Sequence, residues 1–431
     1  MSVMSNRIET LALHAGQAPD SATLACAVPV YRTSAYVFKN VEHAANLFGL
    51  KELGNIYTRL MNPTQDVLEK RVAAMEGGVA ALAVASGTSA IFYAVINICK
   101  AGDEFVSANN LYGGTYTQFN DILPHFGIKC TFVDARNPAN FAAAITPKTK
   151  LIYVETIGNP GLDVVDIPAV AKIAHDHGLP LVVDSTFSTP YHQRPIEQGA
   201  DIVVHSLTKW MGGHGVGIGG IVVDSGKFNW KSEKFPLLSQ PEPSYHDLRF
   251  AYDLGPLEPL AFILRMRLVP LRNLGACIAP DNAWLLLQGI ETLPLRMERH
   301  SQNAMAVAKH LQKHPLVSWV RYPGLENDPA YPVAKKMLQN GFGGMVVFGI
   351  KGGAKAGGKF IDSLKLFSLV ANVGDAKSLA IHPATTTHSQ LTDSQQVECG
   401  IAPELVRLSV GIEHIDDLLA DLNQALKASS I

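Results

Sequence analysis

The feature that most constrains this chain is a regular alternation of short apolar runs with helix-like segments between residues 80 and 223. Helical periodicity is clearest in residues 112–126 and 167–177. The strand-like runs are residues 80–85, 104–108, 129–133, 151–155, 181–184, 202–205 and 219–223. Such alternation predicts an α/β fold whose large, mostly parallel sheet has helices on both faces. Ligands of this kind of fold bind at the carboxyl ends of the strands.

The length of 431 residues predicts more than one domain. Residues 1–60 carry turn residues and little periodicity, so we expect an extended arm that contacts a neighbouring subunit. Residues 61–282 would form the large sheet domain, with a proline- and aromatic-rich insertion at about 227–280. Residues 283–431 would form a smaller α+β domain at the carboxyl end of the chain.

Charge, cysteine content and hydropathy exclude several classes of protein. The 36 Lys and Arg residues are balanced by 38 Asp and Glu residues, so no basic excess favours nucleic acid. The five cysteines include no C-x-x-C pair, which predicts reduced thiols in the cytoplasm and no metal site. No secretory signal opens the chain. Residues 79–99 lack charge, but the turn at Ser86 to Ser89 predicts a strand and a helix there, so we expect no membrane association.

Three local features also lead to predictions. Thr64 is expected to N-cap a helix that ends at Gly77. Residues 215–220 match the letters of a dinucleotide-binding motif, but they lead into a strand, which leaves an oxidoreductase as a remote alternative only. Residues 353–359 have P-loop spacing, but Phe360 stands where Ser or Thr would bind magnesium and no strand precedes the segment, so we do not expect an NTPase. Residues 351–359 are rich in Gly, Lys and Ala and are predicted to be an exposed loop.

Polar residues follow three of the predicted strands. The turn at Ser86 and Gly87 sits where a strand meets a helix, so its backbone N–H groups could hold an anion. Asp184 ends a strand, and Lys209 lies just past the next one. Each feature alone has an ordinary explanation: a capped turn, an N-cap aspartate and a solvated lysine. Together they meet the needs of pyridoxal phosphate, which requires phosphate donors, a carboxylate at its ring nitrogen and a Schiff-base lysine.

The chain resembles the Cys/Met-metabolism enzymes that depend on pyridoxal phosphate and have the aspartate-aminotransferase-like fold, fold type I. The resemblance runs along nearly the whole chain. Its motifs are Tyr57-Thr58-Arg59, Ser86-Gly87-Thr88, Tyr112-Gly113-Gly114, Glu155-Thr156-Ile157-Gly158-Asn159, Asp184-Ser185-Thr186, His205-Ser206-Leu207-Thr208-Lys209 and Arg407-Leu408-Ser409.

The resemblance implies catalytic roles for Lys209, Tyr112 and Asp184. Lys209 would carry the cofactor and move protons, while Asp184 would contact the pyridine nitrogen. Tyr112 would stack on the ring, although a tyrosine at a helix start is also an ordinary core residue. The implied cofactor contacts are Tyr57, Arg59, Gly87, Thr88, Tyr112, Asn159, Asp184, Thr186, Ser206, Thr208 and Lys209.

The implied substrate contacts are Asn372, Arg407 and Tyr57. Arg407 would clamp the substrate α-carboxylate with Asn372 beside it, because a guanidinium binds a carboxylate bidentately. Tyr57 and Arg59 would reach the phosphate of the neighbouring subunit, so the protein would be a homodimer or homotetramer.

The sequences at residues 372–379 and 382–391, and the part of the insertion around residues 245–272, resemble those of the O-acetylhomoserine sulfhydrylase branch of the family. This resemblance implies a γ-replacement in which O-acetyl-L-homoserine and sulfide give L-homocysteine and acetate. The alternatives are methionine or cystathionine γ-lyase chemistry and a cystathionine γ-synthase. A non-catalytic binding protein on the same fold would not need the lysine, the aspartate and the phosphate residues together.

Overall fold

The computed structural model describes residues 6–386 and 402–430. The chain forms a seven-stranded sheet in the order β1-β7-β6-β5-β4-β2-β3 and a five-stranded sheet in the order β10-β11-β12-β9-β8. The strands are β1 (Ala80–Val84), β2 (Glu104–Ala108), β3 (Lys129–Val133), β4 (Thr149–Glu155), β5 (Leu181–Asp184), β6 (Ile202–Ser206), β7 (Gly220–Asp224), β8 (Val317–Arg321), β9 (Met345–Ile350), β10 (Ser368–Leu369), β11 (Leu379–Ile381) and β12 (Leu405–Ser409).

The large sheet confirms the prediction of a mostly parallel arrangement. Strands β2 to β6 pair in parallel with their neighbours, whereas β7 pairs antiparallel with both β6 and β1. Each predicted run lies within about two residues of an observed strand. Apart from the edge strand β3, which is only partly buried, the strands are buried because helices cover the sheet, which explains their nearly uninterrupted apolar character.

The helices pack around the two sheets. The α-helices are α1 (Ile8–His14), α2 (Val41–Phe48), α3 (Pro63–Glu76), α4 (Gly87–Ile96), α5 (Gly113–Thr117), α6 (Ala139–Ala144), α7 (Ile167–Asp176), α8 (Thr189–His192), α9 (Pro236–Ser239), α10 (Ala261–Met266), α11 (Arg272–Leu274), α12 (Pro280–Glu291), α13 (Leu293–Gln312), α14 (Tyr331–Met337), α15 (Gly353–Ser363) and α16 (Ile415–Ser429). Tighter or wider turns occupy Gln118–Ile122, Leu123–Phe126, Pro195–Gln198, Gly255–Leu260, Arg267–Leu271 and Pro383–Thr385. Among the described residues, none of these helices is long and apolar enough to cross a membrane.

The amino-terminal segment differs from the predicted extended arm because it contains α1 and α2. Helix α1 packs against α3, α12 and α13 of the same chain, and Leu11 and Ala12 are buried there. Its apolar residues Ile8, Leu11, Ala12 and Ala15 follow helical spacing, so this helix was readable from the sequence. The predicted contact with a neighbouring subunit stays a prediction.

The predicted N-cap of α3 was also wrong by two residues. Asn62 caps the helix, and its side chain accepts a hydrogen bond from the Thr64 N–H at 2.9 Å. The Thr64 hydroxyl instead donates to the Pro29 carbonyl at 2.8 Å and accepts from the Tyr31 N–H at 3.0 Å. Pro63 at the first helical position supports the earlier start.

Residues 353–359 belong to helix α15 and not to the exposed loop that the sequence predicted. Ala356, Phe360 and Ile361 are buried against the small sheet and α16. Glycine costs a helix only about 1 kcal/mol relative to alanine, so burial of this apolar stripe outweighs the glycine content.

The apolar core has separate centres at the two sheets. One buried cluster surrounds the large sheet, and a second joins the small sheet to α13, α15 and α16. Residues 227–280 add a small cluster of their own around Phe250, with Tyr245 and Leu268. These clusters agree with the predicted order of the segments, and the domain bounds themselves stay a prediction.

Candidate active site

The turn between β1 and α4 lies against the carboxyl end of β6. Ser86 caps α4 by accepting a hydrogen bond from the Ser89 N–H at 3.1 Å, and its hydroxyl lies 3.0 Å from the Thr88 hydroxyl. A Cβ at Gly87 would stand 2.6 Å from the Ser206 Cβ, so only glycine allows this approach. The structure therefore brings Gly87, Thr88 and Ser206 together at one helix N-terminus.

Thr186 and Thr208, two further predicted cofactor contacts, form hydrogen bonds to neighbouring segments through their hydroxyl groups. The Ser206 N–H donates to the Thr186 hydroxyl oxygen at 2.9 Å. The Thr208 hydroxyl donates to the Gly219 carbonyl at 3.2 Å and accepts from the Gly219 N–H at 3.1 Å. Residues 215–219 form a loop that leads into β7 at Gly220 and does not open a helix, as the sequence predicted.

Asp184 is a buried carboxyl at the end of β5, as predicted. Its Oδ1 accepts the Thr186 N–H at 2.9 Å, and its Oδ2 accepts the Tyr153 hydroxyl at 3.4 Å. Burial raises the pKa of Asp184, while the hydrogen bonds from Thr186 and the charge of His205 oppose that shift. A cation placed at this carboxyl would stabilise its ionised form.

Lys209 lies in the turn after β6 and contacts the small sheet region. Its Nζ donates a hydrogen bond to Asn372 Oδ1 at 2.6 Å. Burial lowers the pKa of the Lys209 ammonium, and the positive charge of Arg407 lowers it further. Lys209 therefore has more of the neutral, proton-accepting amine near pH 7 than an exposed lysine has.

Arg407 is a buried cation in β12. Its guanidinium donates to Asn159 Oδ1 at 3.0 Å, and burial lowers its pKa to about 10. Among the described contacts, Asn372 bonds to Lys209 and Asn159 bonds to Arg407, so the two asparagines hold the two cations of the site. A planar guanidinium shielded from water is suited to bind a carboxylate strongly.

The aromatic residues of the predicted site are among its exposed members. Tyr112 precedes α5 and is 49% exposed, and Tyr57 is 40% exposed. The Arg59 guanidinium lies 5.1 Å from the Tyr57 ring centroid. The contacts within the described residues do not join Tyr57 and Arg59 to Lys209 or Gly87, so one chain does not bring this pair into the group.

Sequence reasoning assigned no role to several buried groups beneath the site. Glu155 ends β4 directly beside Asp184 in the register of the sheet, and it accepts the Tyr112 N–H at 2.8 Å. Tyr153 supplies its hydroxyl to Asp184, and His205 lies 2.6 Å from Glu76. Glu155 could have been found, because an acid at the end of one buried strand beside another acid is an unusual pattern.

Comparison with known proteins shows the family of this chain. A family model described as "Cys/Met metabolism PLP-dependent enzyme" matches residues 9–427.

The chain belongs to this family.

The chain is 59% identical to the O-acetyl-L-homoserine sulfhydrylase of Leptospira meyeri over 97% of its length and 96% of that protein. It is 53% identical to the homocysteine synthase of Schizosaccharomyces pombe, with 100% of both chains covered. The crystal structure of a putative O-acetylhomoserine (thiol)-lyase from Campylobacter jejuni has a TM-score of 0.94 and 41% identity, covering 98% of this chain and 100% of that one. That crystal structure contains N'-pyridoxyl-lysine-5'-monophosphate. The predicted fold type I is confirmed.

The residues of the site fit the pyridoxal phosphate that the family uses. Gly87 leaves room at a helix N-terminus where a Cβ would fill it, which is the setting for a phosphate. Asp184 offers a buried carboxylate for a pyridinium nitrogen, and Lys209 offers an amine for the aldehyde. Within residues 6–386 and 402–430, no group of three or more His, Cys, Asp or Glu side chains is placed to hold a metal ion.

Proposed function

We propose that this enzyme converts O-acetyl-L-homoserine and sulfide into L-homocysteine and acetate. The observation that carries the proposal is the similarity along nearly the whole chain to proteins named O-acetyl-L-homoserine sulfhydrylase and homocysteine synthase. The partly buried Lys209 and the buried Arg407 support it, because an amino-acid substrate needs a base at its α-carbon and a partner for its carboxylate.

We propose that the cofactor is held by three groups of residues. Gly87, Thr88, Ser206 and Thr208 would bind the phosphate, supported by the close approach of the first three in the structure. Asp184 would hold the protonated ring nitrogen, with Thr186 fixing its carboxylate. Tyr112 would stack on the ring and Asn159 would reach the ring hydroxyl. When bound, pyridoxal phosphate supplies an electron sink for the electron pair left at the substrate α-carbon.

Arg407 would orient the substrate and Lys209 would move its protons. The guanidinium would bind the α-carboxylate bidentately, with Asn159 and Asn372 flanking it, and Tyr57 would contribute from a neighbouring subunit. The Lys209 amine would accept the α-proton, because burial and the charge of Arg407 favour its neutral form. Tyr112 would assist with the proton of the amine or the leaving group.

Tyr57 and Arg59 support an oligomeric active unit in this proposal. Both lie at the surface of the chain, which suits residues that would complete the phosphate site of a neighbouring copy. A homodimer would be the minimal unit and a homotetramer a pair of dimers. The cytoplasm would suit the enzyme, since Cys26, Cys99, Cys130 and Cys277 are free thiols.

Product analysis tests the reaction. The purified protein is incubated with O-acetyl-L-homoserine with and without sulfide, and homocysteine and 2-oxobutanoate are quantified. Homocysteine that depends on sulfide is the expected result. Formation of 2-oxobutanoate and ammonia regardless of sulfide would assign the enzyme to the γ-lyases instead.

The variant Lys209→Ala provides the control for this assay. We expect it to lose turnover completely and to lose the visible absorption of the lysine-bound cofactor, because no other amine lies at this position. Retained turnover in a folded Lys209→Ala protein would contradict the assignment of the site.

A further inference from the structure

Glu155 is the buried acid of the site that the mechanism above does not use. It ends β4 next to Asp184 at the end of β5, and the two residues are paired in the register of the parallel sheet. Only 6% of Glu155 and 8% of Asp184 are exposed. Side chains in register on neighbouring strands point to the same face, so the two carboxyls lie at one depth below the site.

The contact of Glu155 leads to Tyr112. The carboxyl oxygen Oε1 accepts the main-chain N–H of Tyr112 at 2.8 Å, at the point where the chain turns from β2 into α5. A Cβ at Gly114 would stand 2.5 Å from the Tyr112 ring, so the ring already lies back over the start of its own helix. The main chain that carries the half-exposed Tyr112 ring is thus held by one buried side chain, that of Glu155.

We propose that Glu155 is a positioning residue, which holds the Tyr112 main chain so that the tyrosine ring lies over the cofactor. The inference rests on the cofactor site proposed above and goes beyond it by naming the group that sets the position of the stacking ring. The role needs an acceptor oxygen at this position and does not need a negative charge.

The surroundings of Glu155 explain why an uncharged acceptor suffices. Burial raises the pKa of Glu155 well above its ordinary value, and the neighbouring Asp184 raises it further, while the bond from Tyr112 acts in the opposite direction. Asp184 has the ionised form when it faces a protonated ring nitrogen, and a second buried negative charge beside it is costly. These effects favour the protonated form of Glu155, in which one oxygen carries the proton and the other accepts the Tyr112 N–H.

Variants at residue 155 test whether the role of Glu155 needs an acceptor oxygen or a negative charge. Glu155→Gln keeps an acceptor oxygen of the same reach, whereas Glu155→Leu keeps the bulk and removes the acceptor. We expect Glu155→Gln to release pyridoxal phosphate at the wild-type rate and to keep its kcat. Glu155→Leu should release the cofactor faster and lose roughly 10- to 100-fold in kcat/KM, since small displacements at an active site cost this much.

A double-mutant cycle with Tyr112→Ala tests whether Glu155 acts through the ring. The rate of cofactor release and kcat/KM are measured for Glu155→Leu in the wild-type and the Tyr112→Ala backgrounds. If Glu155 acts by positioning the Tyr112 ring, Glu155→Leu should change cofactor release and kcat/KM less than about threefold in the Tyr112→Ala background. Asp224→Leu is the matched control, because Asp224 is also buried in the large sheet and accepts one backbone N–H at 2.8 Å, from Gly226.

The outcomes divide cleanly. Equal damage from Glu155→Gln and Glu155→Leu would overturn the proposal, as would effects of Glu155→Leu and Tyr112→Ala that simply add. If Glu155→Leu does not fold, Glu155→Asp replaces it, because a side chain shorter by one carbon withdraws the acceptor. Cofactor release is measured without substrate, so this arm stays informative even if the sulfhydrylase reaction is wrong.

Discussion

At the scale of single residues, Arg407 is a buried side chain whose guanidinium keeps several hydrogen-bond donors without a partner among the described contacts. Its one described side-chain hydrogen bond goes to Asn159, which leaves donors for a substrate carboxylate. Arg407→Ala should raise the KM for O-acetyl-L-homoserine by roughly 100-fold while the cofactor stays bound, since a hydrogen bond to a charged group is worth about 1.5–3 kcal/mol. Initial rates over a range of substrate concentrations and the cofactor absorption measure the two effects.

The conservative variant Arg407→Lys sharpens this prediction. It keeps the positive charge that lowers the Lys209 pKa but loses the planar fork. We expect a KM between those of the wild type and the alanine variant. An unchanged KM in Arg407→Ala would show that the substrate carboxylate binds elsewhere.

The sequence was informative about individual site residues wherever a motif carried them. Gly87, Asp184 and Lys209 were expected at strand ends, and the structure places them there. The partners of the two cations were not foreseen, because Asn159, Asn372 and Arg407 come from different strands and loops. Their pairing depends on how the small sheet packs against the large one, and no local pattern encodes that.

At the scale of elements, the segment after β10 packs closely against the turn that carries Lys209. Gly374 has φ +79°, and a Cβ there would stand 2.5 Å from the Trp210 nitrogen and 2.8 Å from the Lys209 carbonyl carbon. From the other side, Arg296 of α13 donates to the Trp210 carbonyl at 2.7 Å and the Met211 carbonyl at 3.2 Å. The lysine turn is thus held by backbone contacts on both sides.

Gly374→Ala should therefore displace the lysine turn. We expect a lower melting temperature, weaker absorption of the lysine-bound cofactor and at least about a tenfold loss of kcat, because Asn372 moves with Gly374. Absorption spectra and thermal melts of the holoenzyme measure these changes.

Gly275→Ala is the matched control for this variant. Gly275 has a similar φ of +84°, and nothing lies within 4 Å of its Cβ position. It should cost only the backbone strain of about 1–2 kcal/mol and leave the cofactor spectrum unchanged. Equal loss of cofactor absorption in both variants would contradict the role given to Gly374.

Elements with a clear hydrophobic pattern were predicted well. Elements in which glycine or turn residues accompany the apolar pattern were missed. The seven strands of the large sheet follow from uninterrupted apolar runs, since both faces are covered. Helix α15 was missed because its glycines outweighed its apolar spacing in our reading, while burial of Phe360 decides its structure. Helix α1 was missed because the turn residues that follow it dominated the interpretation of the whole segment.

At the scale of the whole molecule, Asp224 makes stability depend on pH. Burial raises the pKa of Asp224 from 3.8 to about 7, and its Oδ2 has no hydrogen-bond partner among the described residues. The folded state therefore binds this proton more tightly than the unfolded state. The resulting stability is fully present below about pH 4 and is lost as the pH rises from there to about 7.

Asp224→Asn should remove this pH dependence. Asparagine stays neutral and keeps an acceptor for the Gly226 N–H, so the variant should melt at least about 2 °C above the wild type at pH 8. The difference should shrink toward pH 4, where the wild-type side chain is protonated. Thermal melts of both holoenzymes at one scan rate and several pH values measure it, and a constant difference across this range would contradict the proposed cause.

The position of β7 has a consequence for the order in which the enzyme becomes functional. This strand lies between β1 and β6, and the start of β7 at Gly220 packs against the Ser86 carbonyl. The strands that lead to Gly87 and Ser206, both proposed to bind the phosphate, are therefore joined within the sheet only once β7 is inserted between them. During synthesis a ribosome must release the chain beyond residue 224 before this support can form, and Arg407 emerges later still. We therefore expect the nascent chain to bind its cofactor only late in synthesis.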